Sequence, residues 1–126
     1  MSDRMVDLNG LFQAFNRHDA DGAVFFMTDD VVFQTLGGEE AYGARIKGRD
    51  AVRAAFAGVW KTFPDAHWEV TNHTVTGDLG VSEWIFRGTG GDGSRIEAEG
   101  VDLFTFRDDK IAMKRAFRKQ RPPIVT

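Results

Sequence analysis

Apolar residues recur at helical spacing in two stretches of the chain. Across residues 3–17, Met5, Leu8, Leu11, Phe12 and Phe15 share one face, and Ser2 or Asp3 is placed to cap the helix. Gly10 lies inside this stretch and is expected to weaken it by about 1 kcal/mol relative to Ala. Asp19 is placed to cap a second, shorter helix through residues 23–27, and residues 31–33 read as a short strand ended by Gly37 and Gly38. The strongest stripe runs over 49–63, where Val52, Ala55, Phe56, Val59, Trp60 and Phe63 line one face and Pro64 stops the helix.

Beyond Pro64 the period changes. Residues 67–76, 81–89, 95–106 and 110–119 are β-rich, and seven of the 14 glycines fall between 77 and 100. The gaps are short and polar: Gly77-Asp78-Leu79-Gly80, Gly90-Gly91-Asp92-Gly93 and Asp108-Asp109. Consecutive antiparallel hairpins follow. Helices first and strands after predict an α+β class, with helices laid on one face of a curved, mainly antiparallel sheet.

The length of 126 residues suits a single domain, 1–126. With 16 Lys plus Arg against 19 Asp plus Glu, the net charge of −3 argues against a nucleic-acid partner. The absence of cysteine excludes disulfides and a thiolate nucleophile and suits a reducing compartment. No apolar run nears the ~20 residues that span a bilayer, and MSDRMVDLNG lacks a signal-peptide core. A cytoplasmic protein with no membrane partner is expected.

Several motifs dissolve on inspection. Gly88-Thr89-Gly90-Gly91-Asp92-Gly93 matches a dinucleotide fingerprint but is followed by a strand, so no helix N-terminus faces the loop and a plain hairpin explains it. Asn72-His73-Thr74 is a chance glycosylation sequon. His67 and His73 stand six residues apart on one strand, roughly 20 Å, too far to share an ion. His18 suits a solvated or helix-capping role. Neither a metal nor another cofactor is implied. The basic run Lys110, Lys114, Arg115, Arg118, Lys119 and Arg121 reads first as cross-strand pairing, with Arg118 facing Glu99.

That pairing assumes a two-residue Asp108-Asp109 turn, and it yields the candidate site. Phe106 then faces Ile111, Phe104 faces Met113, Asp102 faces Arg115 and Gly100 faces Phe117, all on one mostly apolar face. Asp102 and Arg115 become a buried acid and base, either an inert brace or a working pair. Trp84 and Phe86 join this face if the Gly90–Gly93 loop is odd in length. A two-residue turn would bring Glu83, Ile85 and Arg87 instead; the odd loop is preferred because it keeps aromatics inside. Trp60 and Tyr42 are candidates for a rim, and Phe15 for a wall.

The order of Asn16-Arg17-His18-Asp19, Thr28-Asp29-Asp30-Val31, Lys47-Gly48-Arg49-Asp50-Ala51-Val52 and Gly100-Val101-Asp102-Leu103-Phe104-Thr105-Phe106-Arg107-Asp108-Asp109-Lys110-Ile111 resembles the nuclear-transport-factor-2-like superfamily. Within it the chain is most similar to SnoaL-like polyketide cyclases and ketosteroid isomerases. The resemblance implies a conical α+β barrel of three helices on a curved sheet around an apolar pocket, in a homodimer formed through the outer sheet face. It implies an acid/base role for Asp102. The isomerase base position corresponds to Thr35, the isomerase tyrosine falls near Leu11, and the cyclase histidine corresponds to Arg87 or Thr89, so neither catalytic set is complete. Arg115 beside Asp102 would hold the carboxylate ionised, which disfavours ordinary ketosteroid isomerisation.

Two functions follow. One is a cofactor-free isomerase, cyclase or dehydratase acting on a partly apolar small molecule, with Asp102 and Arg115 as catalytic groups. Its substrate would be held by Trp84, Phe86, Phe104, Met113, Phe117, Trp60, Phe15 and Tyr42. The other is a non-catalytic ligand-binding or accessory subunit using the same pocket or the outer sheet face.

Overall fold

Asp3 caps α1 (Arg4–Asn16), its carboxylate accepting from the backbone N–H of Met5 at 2.9 Å and Val6 at 3.3 Å. The computed structural model describes residues 3–124. The α1 stripe buries Leu8, Leu11, Phe12 and Phe15 as expected, but Met5, in the first turn, stays exposed. Gly10 has a packing reason: a Cβ there would come 2.7 Å from the ring of Phe26. His18, at φ 59°, turns the chain out of α1, and Asp19 caps the short α2 (Ala20–Val24) through the Gly22 N–H. This helix ends three residues before the predicted limit because β1 (Met27–Gln34) already begins at Met27.

β2 (Arg45–Lys47) was not legible in the sequence, being three residues long. α3 (Arg49–Thr62) follows Gly48, which supplies a φ of 93° at the turn. Then come β3 (His67–Thr76), β4 (Leu79–Thr89), β5 (Arg95–Arg107) and β6 (Lys110–Arg118). The six strands form one open, curved sheet in the order β2-β1-β6-β5-β4-β3, antiparallel throughout except where β1 runs parallel to β6. α1 packs on β3, α3 on β1 and β2, and α2 joins the two helices. The class is α+β, as the sequence indicated.

The β4–β5 loop is odd in length. Thr89 opposes Arg95, Phe86 opposes Ala98 and Trp84 opposes Gly100, so Trp84 and Phe86 point inward. Outside, Arg87 pairs with Glu97 at 2.8 Å and Glu69 at 2.7 Å.

The β5–β6 register departs from expectation. It begins as anticipated, Arg107 opposite Lys110 and Phe106 opposite Ile111, but Thr105 then opposes Met113. Ala112 is the extra residue of a β-bulge, and from there every side chain of β6 changes face. Asp102 therefore opposes Ala116 rather than Arg115, and Gly100 opposes Arg118 rather than Phe117. Glu99 pairs with Lys119 at 3.2 Å instead of with Arg118. The bulge turns Lys114 and Ala116 inward and leaves Arg115 and Phe117 on the outer face.

Candidate active site

The α3 stripe explains why the fold is hollow. Only Val52 and Phe56 of that helix are fully buried; Ala55, Val59 and Trp60 remain half-buried. They face not a packed core but a cavity of about 370 Å³ enclosed by α3, the end of α1 and the inner sheet face. Its walls include Phe15, Phe33, Phe56, Phe63 and Phe86, and all three tryptophans of the chain, Trp60, Trp68 and Trp84, line it. At the rim, Trp60 stacks on His18 with ring centroids 5.1 Å apart, and the His18 Nε2 meets the Ala66 carbonyl at 2.9 Å.

Among the described residues, three ionisable side chains line this apolar space: Asp102, Lys114 and Arg118. Asp102 is 1% exposed and Lys114 6%. The Lys114 Nζ donates to Asp102 Oδ1 at 3.2 Å, and the Trp84 Nε1 donates to Asp102 Oδ2 at 3.2 Å. The ammonium also lies 4.4 Å from the Phe33 ring centroid and 5.5 Å from that of Phe15. Burial pushes the Asp102 carboxyl above its ordinary value, outweighing the attraction of Lys114 and the two hydrogen bonds. The expectation that an adjacent cation would hold this group down is thus reversed by desolvation.

Arg118 is half-buried, its guanidinium 5.1 Å from the Phe86 ring centroid, and burial draws it below the usual arginine range. A second polar pair, His73 Nδ1 with Ser82 Oγ at 2.8 Å, sits beside the site on the same sheet face, Ser82 opposing Asp102. It packs against Phe12 under α1 and does not line the cavity.

Of the residues singled out from sequence, Asp102, Trp84, Phe86, Trp60 and Phe15 meet in the cavity. Phe104 is wholly buried in the core behind it, against Phe12. Arg115, Met113 and Phe117 are turned outward by the bulge; Arg115 lies over the Phe117 ring, which is 45% exposed. Tyr42 belongs to an exposed loop, stacked under the Arg45 guanidinium at 3.8 Å. Thr35 hydrogen-bonds Gly37 and Ala44 in that same loop, and Arg87 is held outside by Glu69 and Glu97. Sequence reasoning missed Lys114 and Arg118. The signal was present only as a basic run whose facing depended on the unseen bulge. Among the described residues no group of three His, Asp or Glu is placed to hold a metal ion.

A sequence model of the SnoaL-like domain matches residues 8–113. None of the curated proteins matches the chain. Among solved structures, a putative SnoaL-like polyketide cyclase from Jannaschia sp. is 21% identical, with 90% of this chain and 83% of that one covered and a TM-score of 0.78. The putative polyketide cyclase IdmH from Streptomyces antibioticus is 21% identical over 93% and 92% of the two chains, TM-score 0.77. An uncharacterised cystatin-fold protein from Novosphingobium aromaticivorans is 21% identical over 94% and 100%, TM-score 0.78. At these identities the likeness is one of fold.

Proposed function

The chain belongs to the SnoaL-like domain family, and on that premise we propose that it binds a partly apolar small molecule in the aromatic cavity and moves a proton on it through Asp102, without a cofactor. The observation that carries this reading is the buried Asp102 carboxyl, raised above its ordinary value by desolvation, on the wall of the aromatic cavity beside an ammonium. A carboxyl so placed serves as base when ionised and as acid when protonated.

The step is a transfer from a carbon next to a carbonyl. The proton passes to an Asp102 oxygen, the C–H electron pair forms a C=C bond, and the carbonyl π pair moves onto oxygen, where the Lys114 ammonium offsets the charge. Return of the proton to a different carbon completes an isomerisation; departure of a β leaving group completes an elimination. Arg115, on the outer face, has no part in it. The protein is proposed to work in the cytoplasm as a homodimer joined through the outer sheet face.

The alternative is a binding subunit without chemistry. It is favoured by the fact that both Asp102 oxygens are already engaged by protein donors. Deuterium exchange at the α-carbon of 2-tetralone in D₂O, followed by NMR, separates the two. Exchange faster than buffer that disappears in Asp102→Asn supports proton transfer. Binding without accelerated exchange leaves the binding subunit.

A further inference from the structure

Resting on the cavity-binding reading above, the charges around that cavity specify the ligand more closely. Lys114 has a carboxylate partner in Asp102, and Arg118 has none among the described residues. Neighbouring acidic residues of β5 are taken: Asp102 by Lys114 at 3.2 Å, Glu99 by Lys119 at 3.2 Å, and Glu97 by Arg87 at 2.8 Å. Among the described residues no carboxylate lies within ion-pairing distance of Arg118. The lining thus carries two cations against one anion, an excess of one positive charge inside a chain of net charge −3.

We infer that the cavity takes an apolar carboxylic acid, bound as the carboxylate, with Arg118 as the group that grips it. The guanidinium carbon lies 5.1 Å from the Phe86 ring centroid, and among the described residues none of its N–H groups has a hydrogen-bond partner, so they are available to an acceptor in the cavity. A planar fork of donors matches the two oxygens of a carboxylate, and a charge-assisted pair in a site walled by aromatics is stronger than the same pair in water. A half-buried, unpaired cation costs desolvation that an incoming anion offsets. A cavity of about 370 Å³ limits the apolar body to one or two rings. The bulge at Ala112 is what delivers Arg118 here: in an unbroken register it would stand outside with Glu99.

The test uses two probes of one shape, 4-tert-butylbenzoate and uncharged 4-tert-butylbenzamide, titrated into the intact protein by calorimetry and by indole emission. Because every tryptophan lines the cavity, the emission reports binding there. The expected result is a preference for the benzoate of about tenfold or more. Arg118→Gln abolishes that preference, with the benzoate losing far more affinity than the benzamide; Arg118→Lys, which keeps the charge and loses the fork, retains part of it. Arg115→Gln, on the outer face, changes neither. Equal affinities in the wild type, or a preference that survives Arg118→Gln while benzamide still binds, overturns the role of Arg118 and leaves the cavity reading standing. Failure of both probes to perturb the indoles overturns the cavity reading and this inference with it.

Discussion

Lys114 meets Asp102 diagonally: its Nζ is 3.2 Å from Asp102 Oδ1, although Asp102 opposes Ala116 and Lys114 opposes Phe104 across the β5–β6 ladder. The lysine stem reaches along the inner face to bring its charge to a carboxyl two positions away, while Trp84 closes the other oxygen from β4. An ion pair built this way depends on both partners, because the surrounding rings of Phe15, Phe33 and Phe56 offer neither charge an ionic alternative.

Removing one partner should therefore be costly and removing both cheap. Asp102→Leu strands a buried ammonium and is expected to destabilise by about 3–5 kcal/mol. Lys114→Met should cost less, about 1–3 kcal/mol, because the carboxyl, already raised, takes up a proton. The double substitution recovers much of the loss. A double-mutant cycle by urea denaturation measures the coupling. Simple additivity would show the two groups to be independent.

The raised Asp102 carboxyl also gives a sign to the pH dependence. Between the unfolded value near 3.9 and the higher folded value, the native state holds a proton that the unfolded chain has released. Stability from this group is present at low pH and is lost as pH rises through that window. The exposed carboxylates Asp19, Asp30, Asp65, Asp92 and Glu97 are shifted down and act in the opposite sense, losing stability as pH falls. Subtracting the unfolding profile of Asp102→Asn from that of the wild type should isolate a term that declines with rising pH. A difference that rises over the same range contradicts the assignment.

How much of the site was readable in advance turns on Ala112. Helix stripes, caps at Asp3 and Asp19, the stop at Pro64 and the hairpin order all follow from periodicity and turn chemistry, which are local. The odd β4–β5 loop was inferred by asking which register keeps Trp84 and Phe86 dry, and burial decides that question correctly. A one-residue bulge leaves no comparable mark. The turn at Asp108-Asp109 fixes only the first two pairs of the β5–β6 ladder, and beyond them alternation assigned Arg115 to the inside when the inward cations are Lys114 and Arg118. The parallel pairing of β1 with β6, which presents Phe33 to Lys114, is a long-range contact with no local signature.

Gly100 is the position where the site is least tolerant of added bulk. A Cβ there would collide with the Trp84 ring and stand 2.5 Å from the Phe117 carbonyl oxygen, a backbone atom that cannot swing away. Gly100→Ala is expected to cost about 1–3 kcal/mol and to displace the indole that bonds Asp102. Chemical denaturation reads the first effect and a shift in tryptophan emission the second. An unchanged spectrum with unchanged stability would mean that the strands yield more easily than close packing suggests.

The outer sheet face supplies the last prediction. Ile85, Val101 and Leu103 are only half-buried there, and the same bulge that frees the cavity of Phe117 places that ring outside, 45% exposed beside them. Leu79 adds a further apolar side chain, 48% exposed, at the start of β4. These apolar side chains alternate with Glu83, Glu99 and Arg115 on the same face, and a two-fold pairing of identical faces would cover the apolar groups of both copies at once while setting acids against the arginine. Light scattering at micromolar concentration should give twice the chain mass. Phe117→Asp, which puts a charge at the centre of that face without touching the cavity lining, should halve it while binding to the cavity survives. A wild-type chain that scatters as a monomer at that concentration ends the proposal of a dimer, and a variant that stays dimeric moves the contact away from β6.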